Sequence, residues 1–253
     1  MTPINNLSVY NSGMRKSMFD KLWWMDKIDD SIQNVVDYGC ADGALLSMVH
    51  EINPDLKLYG YDFNQSMIDL ATENVPDGYF DTYLLNLIKD LNEKHSVIIA
   101  SSVFHEIENY SDGTGAEYRD IFYSGYKYIA IRDMFLSEKS CGISDQLSVA
   151  KVRQNYSYEK IQEFESYIGT IDNNENLLQF FLTYRYTENW DREVRENYFP
   201  HTIEQFLNKI PKNYEIVYFD HYTLPFVREQ VLKDFGIQLT DPTHGKILLK
   251  LKD

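Results

Sequence analysis

The sequence predicts a doubly wound α/β domain with a mostly parallel sheet, and three observations carry that reading. Short apolar runs alternate with helical patterns from about residue 30 to residue 135, the rhythm of a sheet covered by helices on both faces. A glycine turn joins the first apolar run to the first helical segment, where a strand–loop–helix unit brings backbone close to a ligand. The 253 residues are 43% hydrophobic and 25% charged, an ordinary globular composition near the upper size that one core serves.

Residues 1–30 begin polar and turn-rich, and Met14, Met18, Leu22, Trp23 and Met25 then give a rough helical stripe. This segment is expected to be an N-terminal helical lid, or else Met14, Met18, Leu22 and Trp23 simply cap the sheet. An apolar run ending at Asp37, a turn through Gly39 and Gly43, and a stretch through Leu45, Leu46, Met48 and Val49 read as strand, loop and helix. Residues 56–61 read as a strand closed by Asp62, and 66–74 as a helix with Asn64 or Ser66 as its cap. A weaker strand lies near 80–84, a buried-type strand at 96–100, a helix at 117–124 and a strand at 128–132. Residues 31–135 are thus the expected core.

The rhythm changes over 136–200, where two helices are expected, at 158–167 and 176–187, with no strand between them. This reads as a helical insertion after the fifth strand, packed as a cap on the sheet's rim. The core pattern resumes over 201–253 with a helix at 202–209 and strands at 214–220 and 246–252, expected to be antiparallel neighbours at the sheet edge.

The formal charge of −15 is uneven. Lys and Arg against Asp and Glu number 4 to 4 over 1–30, 6 to 17 over 31–135, 7 to 11 over 136–200 and 7 to 7 over 201–253. No segment has a basic excess, which argues against broad nucleic-acid binding and leaves room for a local patch. The cysteines, Cys40 and Cys141, suggest no disulfide framework, so a reducing cytoplasm is expected. No signal-type segment or membrane-spanning run is read. His201, His221 and His244 are scattered, and no metal site is predicted. The 20 Tyr and 14 Phe suit either a packed core or the wall of a cleft for a flat ligand.

The strongest local signal is VVDYGCADGALLSMV, residues 35–49. Its glycines bracket a tight turn that points N–H groups at whatever lies there. The spacing GCADG is not that of a dinucleotide-binding turn, and Asp37 and Asp42 suit an ammonium-bearing ligand better than a pyrophosphate. About twenty residues on, Asp62 in GYDFN stands where an acid accepts from ribose hydroxyls.

These segments resemble the class I S-adenosylmethionine-dependent methyltransferases. VVDYGCADG is similar to the family's first motif, YGYDFNQSMIDLA to its second, YLLNL at 83–87 to its third and IIASSVFHEI at 98–107 to its fourth. The resemblance covers about 30–135 and resumes near 202. It implies a seven-stranded Rossmann-like sheet and S-adenosylmethionine as cofactor. It further implies that Asp37, Gly39, Cys40 and Ala41, with Gly43 closing the turn, hold the methionine part. Asp62 would bind the ribose, with Phe63 and Met67 beside the adenine. Asn86, next to Leu87, stands where the family usually has an acid near the adenine amine. Ser101 and Ser102 would floor the sulfonium, and Tyr10, Met14 and Lys16 are candidate lid contacts.

Methyl transfer is a direct displacement, so the protein's work is alignment and exclusion of water, with a base only where the acceptor must lose a proton. His105 is the natural candidate base, or else a structural lock for its loop, and Glu106 would orient it or bind the acceptor. Arg132 and Asp133 follow the fifth strand as a further acceptor contact or a structural pair. The fourth motif lacks the Asn/Asp-Pro-Pro-aromatic sequence that the family uses on base amines. A small-molecule acceptor is therefore expected first, RNA such as a tRNA or protein next. A cleft filled by the chain's own side chains would favour a non-catalytic cofactor-binding or partner subunit.

Overall fold

A computed structural model describes residues 17–110 and 116–252. Seven strands form one sheet: β1 Asn34–Tyr38, β2 Lys57–Tyr61, β3 Tyr79–Asp81, β4 Ser96–Ser101, β5 Tyr128–Met134, β6 Tyr214–Tyr222 and β7 His244–Leu251. Their order is β3-β2-β1-β4-β5-β7-β6. The first five run parallel, and β7 lies antiparallel between β5 and β6, the edge pairing expected from the sequence.

The central strands are buried from end to end in β1 and over the first five residues of β4, as strands covered on both faces must be. Their side chains alternate between two cores. Val36, Ile98 and Ile129 face one core with helices α5 (Phe104–Tyr110), α6 (Ala116–Phe122) and α11 (Ile203–Leu207). Val35, Val97 and Ile99 face the other, against α2 (Ala44–Ile52), α3 (Gln65–Asn74) and the short α1 (Met18–Lys21).

A third core lies in the helices after β5. α7 (Gln146–Asn155), α8 (Tyr158–Tyr167), α9 (Asn174–Thr183) and α10 (Trp190–Glu193) pack through Val152, Phe164, Phe180 and Trp190 onto Val231 and Phe235 of α12 (Pro225–Phe235). The cap is thus discontinuous, with α12 reaching it from between β6 and β7.

Several expectations shift. The run at 80–84 is not one strand: β3 ends at Asp81, whose carboxylate accepts from the Tyr83 N–H at 2.8 Å and turns the chain into α4 (Leu84–Ile88). The segment after β4 is helical from Phe104. The helix expected at 176–187 spans Asn174–Thr183, started by Asn173 accepting from the Glu175 N–H. α7, α10 and α12 were not foreseen. α7 buries only Val149 and Val152 of its ten residues, too sparse a stripe to show. The candidate lid contacts Tyr10, Met14 and Lys16 lie outside the described residues.

Candidate active site

The turn after β1 is held by its neighbour strand. The N–H groups of Gly39 and Cys40 both donate to the Tyr61 carbonyl, at 2.8 and 2.9 Å. The Ala41 N–H then donates to Asp62 Oδ2 at 3.1 Å, while Asp62 Oδ1 accepts from the Asn64 N–H at 2.9 Å. One carboxylate therefore fixes both the turn after β1 and the start of α3, and each of its oxygens keeps a lone pair. Gly39 (φ +82°) and Gly43 (φ +76°) occupy left-handed backbone that favours glycine. A Cβ on Gly39 would stand 3.0 Å from Val103 Cγ2 and one on Gly43 3.1 Å from Ala71 Cβ, so the turn is bare because its surroundings leave no room.

Asp37, one residue before the end of β1, lies beside this turn and is 3% exposed. Burial pushes its carboxyl up to about 7, against the pull of the Lys21 ammonium, with Asp62 adding to the rise. Lys21, on α1, is itself buried. Burial and the nearby Arg132 bring it down to about 8, while Asp37, Asp133 and Asp42 hold it up. α1 is tied down by Asp20, which takes Arg132 Nε at 2.8 Å, Lys246 Nζ at 2.6 Å and the Tyr222 hydroxyl.

Beyond the ends of β4 and β5 lies a buried charged cluster. His105 lies between two carboxylates: Nδ1 is hydrogen-bonded to Asp133 Oδ1 at 2.7 Å, and Nε2 lies at ion-pair distance, 3.2 Å, from Glu196 Oε1. Burial alone would lower the imidazole, but Asp133 and Glu196 outweigh it and hold it well above its usual value. Asp133 also accepts from the N–H groups of Phe104 and Met134. Arg192 Nη2 lies 2.9 Å from Glu106 Oε1 and 3.6 Å from Glu196 Oε2, and its Nη1 lies 3.4 Å from Glu193 Oε1. The Tyr198 hydroxyl closes onto Glu193. Burial pushes Glu106 up to about 7, with His105 and Arg192 opposing. Ligand atoms of His105, Glu106 and Glu196 converge within 4.8 Å of one another, a closer grouping than the sequence suggested, and the cations facing it are Arg192 and the imidazole itself.

Ser17, Ser102, His105, Glu106, Arg132 and Arg185 are among the residues around a cavity of about 100 Å³ that opens here, walled on the cap side by α9, α10 and their loops. Ser102 sits at φ +60° and accepts from Arg132 Nη1 at 2.9 Å.

No family model matches the chain, and no curated protein matches it. Solved structures do. A SAM-dependent methyltransferase from Anabaena variabilis ATCC 29413 aligns over 94% of this chain and 85% of its own, at 12% identity and a TM-score of 0.54. The plantazolicin methyltransferase BpumL in complex with SAH aligns over 96% and 89%, at 14% identity and 0.53. The methyltransferase domain of bacterial-CtHen1-C aligns over 93% and 97%, at 11% identity and 0.50. The fold is that of the class I methyltransferases.

In this methyltransferase fold the sequence-predicted residues fall into two groups. Asp37, Gly39, Cys40, Ala41, Gly43 and Asp62 come together at the ends of β1 and β2. Phe63, 61% exposed, and Met67, half-buried on α3, lie on the Asp62 side, and Leu87 is half-buried on α4. Asn86 is exposed on α4 and donates to Asp81 Oδ2 at 3.1 Å. The acid that closes the third strand is therefore Asp81, passed over because the strand was placed too long. Ser101, Ser102, His105, Glu106, Arg132 and Asp133 form the second group. Arg132 and Asp133 do not bond to each other but to Asp20 and His105, as alternation along a strand requires. Glu106 does not orient His105, since Asp133 and Glu196 do. Lys21, Arg185, Arg192, Glu193 and Glu196 were missed, and no local spacing marks any of them.

Proposed function

We propose that this chain transfers a methyl group from S-adenosylmethionine to a small-molecule acceptor. The observation that carries the reading is the pair of acids, Asp37 and Asp62, on adjacent parallel strands with a bare backbone turn between them. The described residues fit the cofactor. The turn has no side chain at Gly39, and the buried ammonium of Lys21 beside the Asp37 carboxyl complements both charges of a methionine zwitterion.

When bound, the cofactor supplies a methyl group on a sulfonium. Asp62 receives the ribose hydroxyls on its spare lone pairs, Asp37 the amino group and Lys21 the carboxylate. Asn86 and Asp81 would meet the adenine edge, with Phe63 and Met67 beside the ring. Ser102 and the following α5 N-terminus floor the reacting centre, and the cap excludes water from it.

In the resting protein His105 is an imidazolium clamped between two carboxylates, so we assign it to positioning the β4–α5 segment. Where an acceptor must lose a proton, Glu106 is the better base: it lines the cavity, and burial brings its carboxyl up to about 7. The cavity above Ser102 leaves space for an acceptor, which supports an active enzyme over a non-catalytic subunit. A net charge of −15 sets an RNA acceptor behind a small one.

Calorimetry with S-adenosylmethionine on wild type and Asp62→Ala tests the binding claim. Loss of the ribose contacts is expected to weaken binding at least tenfold. Equal affinities would overturn it.

A further inference from the structure

Three arginines line the cavity, and two of them are already paired. Arg132 is bound to Asp20 at 2.8 Å and Arg192 to Glu106 at 2.9 Å. Arg185, just beyond α9, has no carboxylate within ion-pair distance among the described residues. Its guanidinium lies against the rings of Tyr186 and Phe226, at 4.8 and 4.7 Å from their centroids. Nη2 donates to the Tyr186 hydroxyl at 3.0 Å. Nη1 is buried and has no hydrogen-bond partner among the described residues. A buried charged donor left unmade is costly and is the kind of group that a ligand's acceptor atom satisfies.

We propose that the acceptor carries a carboxylate and that Arg185 receives it. The inference rests on the methyl-transfer reading above and adds the substrate's chemical class. The three glutamates of the cavity do not answer Arg185, because each is turned to another group: Glu106 to Arg192, Glu196 to His105, and Glu193 to Tyr198 and Arg192. His244, on the same cavity, is held well below its usual pKa by burial and by Arg132 and Arg185, so it adds no charge of its own. One uncompensated guanidinium matches one negative charge. A phosphate dianion would meet the same single cation and the repulsion of three nearby glutamates. The aromatic rings of Tyr186 and Phe226 and the side chains of Leu182 and Leu224 offer the carbon skeleton apolar walls. Ser102 and Glu106, in the segment after β4, line the same cavity and would meet the end that is methylated.

The test uses the full chain saturated with S-adenosylhomocysteine, and 4-fluorobenzoate as probe, followed by fluorine NMR. 4-Fluorobenzamide serves as the neutral isostere and inorganic phosphate as competitor. Binding of the benzoate at least tenfold tighter than the amide is expected. It should fall at least tenfold in Arg185→Gln and be largely retained in Arg185→Lys, with the affinity for S-adenosylhomocysteine and the thermal midpoint unchanged in both. Equal binding of acid and amide, no binding of the acid, or wild-type binding by Arg185→Gln would overturn the proposal while leaving the methyl-transfer reading intact. Phosphate binding tighter than the benzoate would overturn it in favour of a phosphorylated or nucleic-acid acceptor. Failure of wild type to bind S-adenosylhomocysteine would instead overturn the methyl-transfer reading, and the acceptor role with it.

Discussion

Replacing His105 with Gln removes the one cation between Asp133 and Glu196, which are 0% and 2% exposed. Asp133 keeps its two backbone N–H donors and Glu196 keeps Arg192 at 3.6 Å, so neither is stranded completely. Breaking a buried pair of this kind costs about 3–5 kcal/mol, which for a domain of this size is a fall in midpoint on the order of 10 °C. The sign of the pH dependence follows from the direction of the shift. The folded imidazole lies well above its ordinary value of 6.5, so its contribution is complete below 6.5 and is lost as pH rises through the folded value. The stability gap between wild type and His105→Gln should therefore shrink with pH above 6.5, by up to about 1.4 kcal/mol per pH unit. Glu106, pushed to about 7, titrates in the same window, so the pair is compared again on a Glu106→Gln background. Urea unfolding at pH 6, 7.5 and 9 measures the gap. A gap below about 1 kcal/mol at pH 6, or one that stays constant to pH 9, would refute the clamped imidazolium and return His105 to the role of a resting base.

Two further outcomes follow from the turn and from α1. Gly39→Ala should lower stability by about 1–2 kcal/mol for its left-handed backbone and weaken S-adenosylhomocysteine binding at least tenfold by calorimetry, because the new Cβ meets Val103; unchanged binding would show that the ligand does not approach this turn. Lys21→Met should weaken S-adenosylhomocysteine about tenfold, the worth of one charge-assisted contact, yet leave the affinity for decarboxylated S-adenosylmethionine unchanged. An equal loss for both ligands would place Lys21 in the structure of α1 rather than on the carboxylate.

The parallel core was legible because its signals are local. A strand buried on both faces must be apolar along its length, as NVVDY and SVIIA are, and the acid closing a strand sits next to the run it closes. Helix boundaries were legible where a capping side chain marks them: Asn64 accepts from the Ser66 N–H, and Thr202 and Gln205 form a reciprocal box at the start of α11. The misplacement at 80–84 has the same origin in reverse. Phe80, Leu84 and Leu85 make one apolar stretch, and only the Asx-type bond from Asp81 to Tyr83 divides it. α12 carried a proline in its first turn and a left-handed Gly236 after its last, but its hydrophobic stripe faces the cap and not the sheet, so it breaks the rhythm by which the rest was read.

The site divides along the same physical line. The residues proposed for the methionine and ribose parts come from two strand ends that are hydrogen-bonded neighbours, so residues 37–62 contain nearly all of them. Lys21 is the exception, and it stands in sequence beside the apolar stripe of Met18, Leu22 and Met25 with no spacing that marks it. The residues around the acceptor cavity come from β5, β7, four helices and the loops beside them, with 227 positions between Ser17 and His244. Their meaning is electrostatic, and electrostatic meaning depends on what stands opposite. His105 could stand in SSVFHEI either as a base or as a lock because Glu196 is 91 residues away, and nothing in the local sequence separates Arg185, which faces no carboxylate among the described residues, from Arg132 and Arg192, which do. A cap that contributes charges to a pocket can therefore change acceptor without leaving a motif. The cofactor turn cannot, since its glycines and its two acids are constrained by the backbone they hold.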